Sequence, residues 1–239
     1  MTGERTRSLL LVALGTTAAW LWWSGAALNY VRPSLAPYLL GGGAVLVLLG
    51  LLPPSGLLAR RPLHHAGDHG ARVGWLLLVP VLVVVLVQPA ALGSYAVSGR
   101  SAERGGGSGA DQGFPALAAP VRGAVPMTMA EFVARALRDT GQSLRGVRVR
   151  LVGFVAPAER SEAGAYRLTR FVIFCCAADA EALQVVVQGD EVQRQRDQWL
   201  EVEGRWVVSS PAPPRLTVDS VRPIAQPRRP YEYSVLYAG

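Results

Sequence analysis

Val147-Arg148-Val149-Arg150-Leu151-Val152-Gly153-Phe154-Val155 is the stretch that decides the fold of the C-terminal half of the chain. Apolar side chains at positions 147, 149 and 151 alternate with arginine at positions 148 and 150. Successive side chains of a β-strand point to opposite faces of the sheet. The alternation therefore predicts a strand with one buried face and one solvated face.

Four further strand patterns follow, at residues 166–176, 183–187, 199–208 and 216–221, and turn-forming Gly, Pro, Asp and Ser separate them. A short helix is predicted before them, because Thr128-Met129-Ala130-Glu131 has the capping-box pattern. Five strands within roughly 80 residues predict a small five-stranded OB-like (oligonucleotide-binding-type) β-barrel or a sandwich. We therefore predict a small β domain at residues 121–227 and a C-terminal tail at residues 228–239.

The N-terminal part of the chain has a different composition. Half of the 239 residues are hydrophobic and 17% are charged, and residues 8–31, 35–55 and 73–91 contain no charged side chain. At about 1.5 Å per helical residue, such segments approach or exceed the ~30 Å of a hydrocarbon core. The apolar stretch of the first segment is also longer than that of a cleaved signal peptide. We predict three transmembrane helices within a membrane region at residues 1–97.

Arginines near the ends of these segments predict an orientation. Five lie on the side of the N-terminus and three on the other side: Arg5, Arg7, Arg60, Arg61 and Arg72 against Arg32, Arg100 and Arg104. Because positive residues favour the cytoplasmic side, we predict a multi-pass protein of the bacterial cell membrane, embedded in the lipid bilayer, with a cytoplasmic N-terminus and an extracytoplasmic β domain. Residues 98–120, which are rich in Gly and Ser, are predicted to be a flexible linker.

The two cysteines of the chain lie in Phe171-Val172-Ile173-Phe174-Cys175-Cys176-Ala177-Ala178-Asp179-Ala180. Both faces of this strand pattern are apolar, so one interpretation is a pair of small buried core residues. If the chain turns after the strand, Cys175, Cys176 and Asp179 converge as three ligands for zinc or another transition metal, with the fourth ligand unidentified. The third interpretation is a strained and therefore labile disulfide between the adjacent cysteines.

Three histidines lie in the loop between the second and third predicted helices. In a helix, His65 and His69 would share one face, which is a workable spacing for two imidazole ligands, while His64 would point elsewhere. An ordinary solvated loop is the alternative to a weak metal-collecting loop.

Two function classes find no support in the sequence. A Cys-His enzyme is not predicted, because all three histidines fall in a loop across the predicted membrane from the cysteines. The net charge of +7 comes from scattered arginines that form no dense run. Tyr166 and Phe171 could supply rings for base stacking, but both faces of their strand pattern are apolar near its end, which does not fit a basic groove. Nucleic-acid binding is therefore not predicted.

These features together resemble a known family. The run from Arg170 to Ala180 with its Cys-Cys-Ala-Ala-Asp-Ala motif, the segments 146–155 and 199–204, and the three predicted helices are similar to the YcgQ-like bacterial membrane protein family, whose C-terminal domain has no assigned function. The resemblance implies work beside a multi-spanning YcgR-like permease and a link to metal handling. It implies no catalytic residues.

The leading hypothesis is an accessory subunit of a permease that displays an extracytoplasmic β domain. The predicted spans contain no ionisable residue, whereas ion routes through membranes generally need polar groups, so a transport partner is required. The alternative is a membrane-anchored metal-binding or thiol redox protein that acts without a transporter.

Overall fold

The computed structural model describes residues 2–52, 79, 82, 83, 86, 90–97, 114–157, 164–208 and 213–233. The chain forms two compact units, Met1–Ala90 and Ala91–Gly239. The first unit contains helix α1 (Thr2–Trp23) and helix α2 (Ala36–Leu51), joined through a short 3-10 turn at Ala26–Asn29. The second unit contains helix α3 (Met129–Arg138) and six strands: β1 (Val125–Pro126), β2 (Arg148–Ala156), β3 (Tyr166–Val172), β4 (Glu181–Gln188), β5 (Trp199–Trp206) and β6 (Arg215–Pro223).

The first unit corrects the predicted membrane region. Within the part of the chain that the structure describes, no helix combines the length and the apolar character needed to cross a bilayer. Helix α1 ends at Trp23, and Gly25 follows with a φ of 76°, so the apolar segment 8–31 is not one helix. Helix α2 has 16 residues, which is about 24 Å of helix against a ~30 Å hydrocarbon core. The third predicted segment, 73–91, lies largely outside the described residues.

Three predictions are therefore wrong: the three N-terminal transmembrane helices, the multi-pass membrane location and the orientation derived from it. The error has a physical cause. Hydropathy and the absence of charge measure how apolar a segment is, but they do not show where the backbone leaves the helix. Helix α1 begins in the charged residues before position 8 and ends at Trp23, just before Gly25, so its uncharged part, residues 8–23, is only about 24 Å long.

Glycine allows α1 and α2 to approach each other closely. A Cβ built on Gly43 would lie 2.9 Å from the carbonyl oxygen of Gly15 and 3.1 Å from the Cβ of Ala18. A Cβ on Gly42 would meet nothing within 4 Å. Gly43 therefore faces the partner helix, and its neighbour Gly42 does not.

This difference gives a matched pair of substitutions. We expect Gly42→Ala to stabilise the helix pair by roughly 0.5–1 kcal/mol through its better helix propensity. We expect Gly43→Ala to destabilise it by about 1–3 kcal/mol, because the two helices must move apart. Denaturant unfolding followed by far-UV circular dichroism measures both changes. Equal effects of the two substitutions would contradict the close contact between α1 and α2 at Gly43.

Strands β2 to β6 form a closed barrel. The strand order is β1-β2-β3-β4-β6-β5, and β5 pairs again with β2. Neighbours are antiparallel except for the parallel pairs β1 with β2 and β4 with β6. The five-stranded barrel predicted for the C-terminal region is thus present, with α3 packed against its core.

The alternation that predicted strand β2 separates the barrel interior from its outer face. Val149 and Leu151 are fully buried in the core, whereas Arg148 and Arg150 point outward. On that face each arginine binds Glu203, with N–O distances of 3.2 Å and 2.8 Å respectively. Arg148 and Arg150 therefore form ion pairs on the outer face of the barrel that connect strand β2 with strand β5.

A second apolar cluster lies where β3 ends. It contains Phe154, Phe171, Ile173, Trp199 and Tyr231, together with small residues that include Ala91 and Val97. The ring of Phe154 lies 5.8 Å from that of Phe171 and 5.6 Å from that of Trp199, measured between centroids. Strand β3 leads out of this aromatic cluster directly to the two cysteines.

Candidate metal site

The loop at residues 173–180, here called the cysteine loop, connects β3 to β4 and is folded around one carboxylate. The backbone N–H groups of Phe174, Cys175 and Cys176 donate to the Asp179 carboxylate, with N–O distances of 2.8, 2.7 and 3.1 Å. A single 3-10 turn, Ala177–Asp179, brings the aspartate back to these donors. The strand predicted for residues 166–176 ends earlier, at Val172, and the N–H groups of residues 174–176 bind a side chain instead of a neighbouring strand.

The turn brings both cysteine thiols close to the carboxylate. The Sγ atoms of Cys175 and Cys176 lie 3.5 Å apart, and one ligand atom from each of Cys175, Cys176 and Asp179 lies within 4.8 Å of the other two. Cys175 is exposed and Cys176 is half-buried, and both are free thiols. The interpretation as two buried core residues is therefore wrong, and the three candidate ligands are brought together.

The carboxylate and the thiol influence each other's ionisation. Hydrogen bonding to Asp179, and then to Cys176, raises the pKa of the Cys175 thiol to about 12. Burial tends to raise the pKa of Asp179, but the hydrogen bonds from the Cys175 thiol and from the three backbone N–H groups outweigh it and lower that pKa. The site consequently holds an ionised carboxylate beside a protonated thiol.

These hydrogen bonds occupy the acceptor capacity of Asp179. An ionised carboxylate has about four lone-pair positions. Three accept backbone N–H groups, and the Cys175 thiol takes part in a further hydrogen bond. A cation that replaces the thiol proton would bind both the sulfur and the oxygen position that the thiol had occupied, and would leave the backbone bonds that shape the loop intact.

The role of Asp179 can be tested in the protein without metal. Asp179→Ala removes the acceptor for three backbone N–H groups, and hydrogen bonds to charged acceptors contribute about 1.5–3 kcal/mol each. We expect the amide hydrogen exchange of Phe174, Cys175 and Cys176, measured by NMR, to accelerate at least about tenfold. Asp219→Ala is the control, since Asp219 pairs with Arg148 and Arg205 on the outer face. Unchanged exchange in Asp179→Ala would show that the carboxylate does not shape the loop.

A C-terminal strap, residues 229–233, holds the strand that leads into the cysteine loop. The N–H of Glu232 donates to the carbonyl of Phe171 at 2.9 Å, and its carbonyl accepts from the N–H of Ile173 at 3.0 Å. Arg170 adds a side-chain contact, because its guanidinium donates to the carbonyl of Arg229 at 2.9 Å and lies over the ring of Trp199. The strap falls within residues 228–239, for which the sequence predicted a tail.

Sequence reasoning missed Glu232 and Arg170 as residues that position the site. A signal was present in Tyr231-Glu232-Tyr233, where one acidic residue lies between two aromatic residues. Tyr231 is almost fully buried, and its hydroxyl accepts a hydrogen bond from the N–H of Leu92 at 2.9 Å. The three histidines His64, His65 and His69 lie outside the described residues, so their metal-binding role stays a prediction.

A cavity of about 480 Å³ is a second feature of the barrel. Its lining includes Val155, Tyr166, Asp190 and Arg194. Asp190 and Arg194 form an ion pair at 2.7 Å, and burial raises the pKa of Tyr166 above its usual value. The cavity therefore contains a neutralised ion pair and a protonated phenol, which makes it a weaker candidate than the cysteine loop.

Comparison with known proteins supports the coarse form of the family resemblance. Residues 129–234 match the family model described as "DUF1980 C-terminal domain", which is consistent with a YcgQ-like family. The matched stretch contains α3, strands β2 to β6, the cysteine loop and Glu232.

Structural similarity adds little to this match. A chain of the "Crystal structure of S. pombe Stn1-ten1 complex" is similar with a TM-score of 0.25 and 16% identity, covering 45% of this chain and 80% of that chain. At that TM-score the similarity carries no argument. No curated protein matches the sequence.

Proposed function

We propose that the C-terminal unit is a metal-binding module that takes a thiophilic divalent cation, zinc foremost, on Cys175, Cys176 and Asp179. The observation that carries the proposal is the convergence of two sulfurs and one carboxylate oxygen within 4.8 Å of one another on a single loop. Thiolate ligands favour zinc and other soft or borderline transition metals over magnesium and calcium.

The distance between the sulfurs fits this cation. Zinc binds thiolate sulfur at about 2.3 Å in tetrahedral geometry, which requires two sulfur ligands to lie about 3.8 Å apart. The two Sγ atoms lie 3.5 Å apart, so a small rotation of one side chain is sufficient. Among the described residues no other His, Cys, Asp or Glu belongs to the group, which leaves the fourth tetrahedral position for water or for a ligand from elsewhere.

A titration of the full chain tests the proposal directly. The reduced protein is titrated with zinc in competition with a chromophoric chelator, and its metal content is measured after gel filtration. We expect one zinc per chain, with protection of both thiols from alkylation. A chain that retains no zinc would overturn the proposal. If the same chain then gave one disulfide that a reductant opens, the labile disulfide would become the better interpretation.

Metal affinity should fall as the pH falls. A thiol is protonated at neutral pH, and the hydrogen bonds that raise the pKa of Cys175 to about 12 keep its proton in place well above neutral pH, so zinc must displace that proton. Each displaced proton makes the apparent association constant rise about tenfold per pH unit below the thiol pKa. We expect Cys175→Ser to reduce this slope by about one proton between pH 6.5 and 8. The same slope in both proteins would exclude Cys175 as a ligand.

The partner of the module is a separate part of the proposal. The resemblance to YcgQ-like proteins is the only support for a YcgR-like permease as that partner. Affinity purification of the full chain from cells that contain such a permease, in mild detergent, tests it. If no permease copurifies while zinc remains bound, the metal-binding module acts without a transporter.

A further inference from the structure

We propose that Glu232 couples the metal site to the first turn of helix α3, so that zinc binding and closure of the C-terminal strap stabilise each other. In this proposal Glu232 is a positioning residue and not a ligand. The proposal rests on the proposed metal-binding function of the cysteine loop.

The Glu232 carboxylate binds the beginning of α3. Its two oxygens accept the N–H groups of Met129 and Ala130, at 2.8 Å and 2.9 Å respectively. Thr128, the N-cap residue, accepts the next N–H, that of Glu131, at 3.1 Å. The first turn of a helix has N–H groups without partners inside the helix and a positive partial charge, so a carboxylate is favourable there. Glu232 supplies it from 103 positions away in the sequence.

The backbone of the same residue binds the end of β3. The strap and strand β4 lie on opposite edges of β3 at this point, since Val172 pairs with both Glu232 and Glu181. Ile173, whose N–H donates to Glu232, is fully buried and directly precedes Phe174, the first residue held by Asp179. Only one peptide unit therefore separates the strap from the folded part of the cysteine loop.

This connection lets a change at the beginning of α3 reach the cysteine loop. If the carboxylate of Glu232 leaves α3, the strap loses a side-chain anchor of two hydrogen bonds, and the two backbone bonds to Phe171 and Ile173 weaken with it. Phe174 then moves more freely, and the N–H donors that hold Asp179 beside the two thiols lose their fixed positions. By thermodynamic reciprocity, zinc that fixes the loop must also favour the closed strap.

The variant Glu232→Gln tests the coupling with almost no change in shape. The amide retains one acceptor oxygen but presents an NH2 group to the second backbone N–H, so one of the two bonds to α3 is lost. The matched control is Glu131→Gln, which also lies in the first turn of α3 but pairs through its side chain with Arg135. Both variants are made in the full chain and checked for folding by circular dichroism.

Two measurements are expected to respond. In a competition titration with zinc, Glu232→Gln should bind about tenfold more weakly, while Glu131→Gln stays within about twofold of wild type. Zinc should slow the hydrogen exchange of the backbone amides of residues 129, 130 and 232 in wild type. It should have little effect on the exchange of the same amides in Glu232→Gln. If Glu232→Gln does not fold, Glu232→Asp replaces it, since the shorter carboxylate keeps the charge and lengthens the bonds to α3.

The outcomes separate the two proposals. Wild type that binds zinc, together with a folded Glu232 variant of equal affinity, would overturn the coupling and leave the metal site intact. Zinc binding that leaves the hydrogen exchange of the Met129 and Ala130 amides unchanged would likewise overturn the coupling and leave the metal site intact. Wild type that binds no zinc would overturn both proposals.

Discussion

The double substitution Cys175→Ser and Cys176→Ser is expected to abolish stoichiometric zinc binding. Serine keeps the size of each side chain but replaces a thiolate ligand with a hydroxyl, which remains protonated at neutral pH and is a poor ligand for zinc. Only Asp179 would remain of the three ligands, and a single carboxylate on an exposed loop does not hold zinc at micromolar concentration. We expect metal content after gel filtration to fall from one equivalent to a few per cent of that value.

The fold should survive this change, because neither cysteine belongs to the buried core. Circular dichroism of the metal-free proteins checks this point. Val192→Ser provides the control, since it places the same side chain at an exposed position outside the cysteine loop and should retain one zinc per chain. Zinc that stays bound after both cysteines are replaced would have to occupy another site, and the proposed function would then be wrong.

Phe154→Ala is expected to lower the free energy of unfolding of the barrel by about 3–5 kcal/mol. Phe154 is 2% exposed and contacts the rings of both Phe171 and Trp199, so its removal leaves a cavity between β2, β3 and β5. The free energy of unfolding of a native domain is only about 5–15 kcal/mol, so the substitution would remove a large part of it.

Denaturant unfolding followed by far-UV circular dichroism measures this loss. Val121→Ala, at a half-exposed position, should change the same free energy by less than about 0.5 kcal/mol. A loss below about 1 kcal/mol in Phe154→Ala would show that the aromatic cluster at the end of β3 does not pack as described.

The barrel was predictable because its signals are local. The alternation at positions 147–151 identifies the inward residues Val149 and Leu151 from a pattern that only a strand presents. The transmembrane prediction failed because it needed the position at which a helix ends. Gly25 ends the predicted first span, and the composition of that segment gives no indication of its backbone conformation.

The candidate site was predictable in part for the same reason. Cys175, Cys176 and Asp179 lie within five positions of one another, so a turn is sufficient to join them, and the small residues between them suggest that turn. The carboxylate of Glu232 acts on α3 from 103 positions away, a distance at which a single sequence carries no pattern. Contacts of this kind depend on how the barrel closes and become visible only in the folded chain.

The strap also determines when, during synthesis, the metal site can mature. A chain leaves the ribosome from its N-terminus, and its domains generally fold as units as they emerge. The cysteine loop emerges well before Glu232, and so does strand β2, which must wait for β5 and for barrel closure. Until residues 229–233 have left the ribosome, the end of β3 lacks one of its two backbone neighbours. Until the strap has emerged, a nascent chain would therefore expose two thiols without the geometry to hold zinc tightly, and metal capture would have to follow the emergence of the strap.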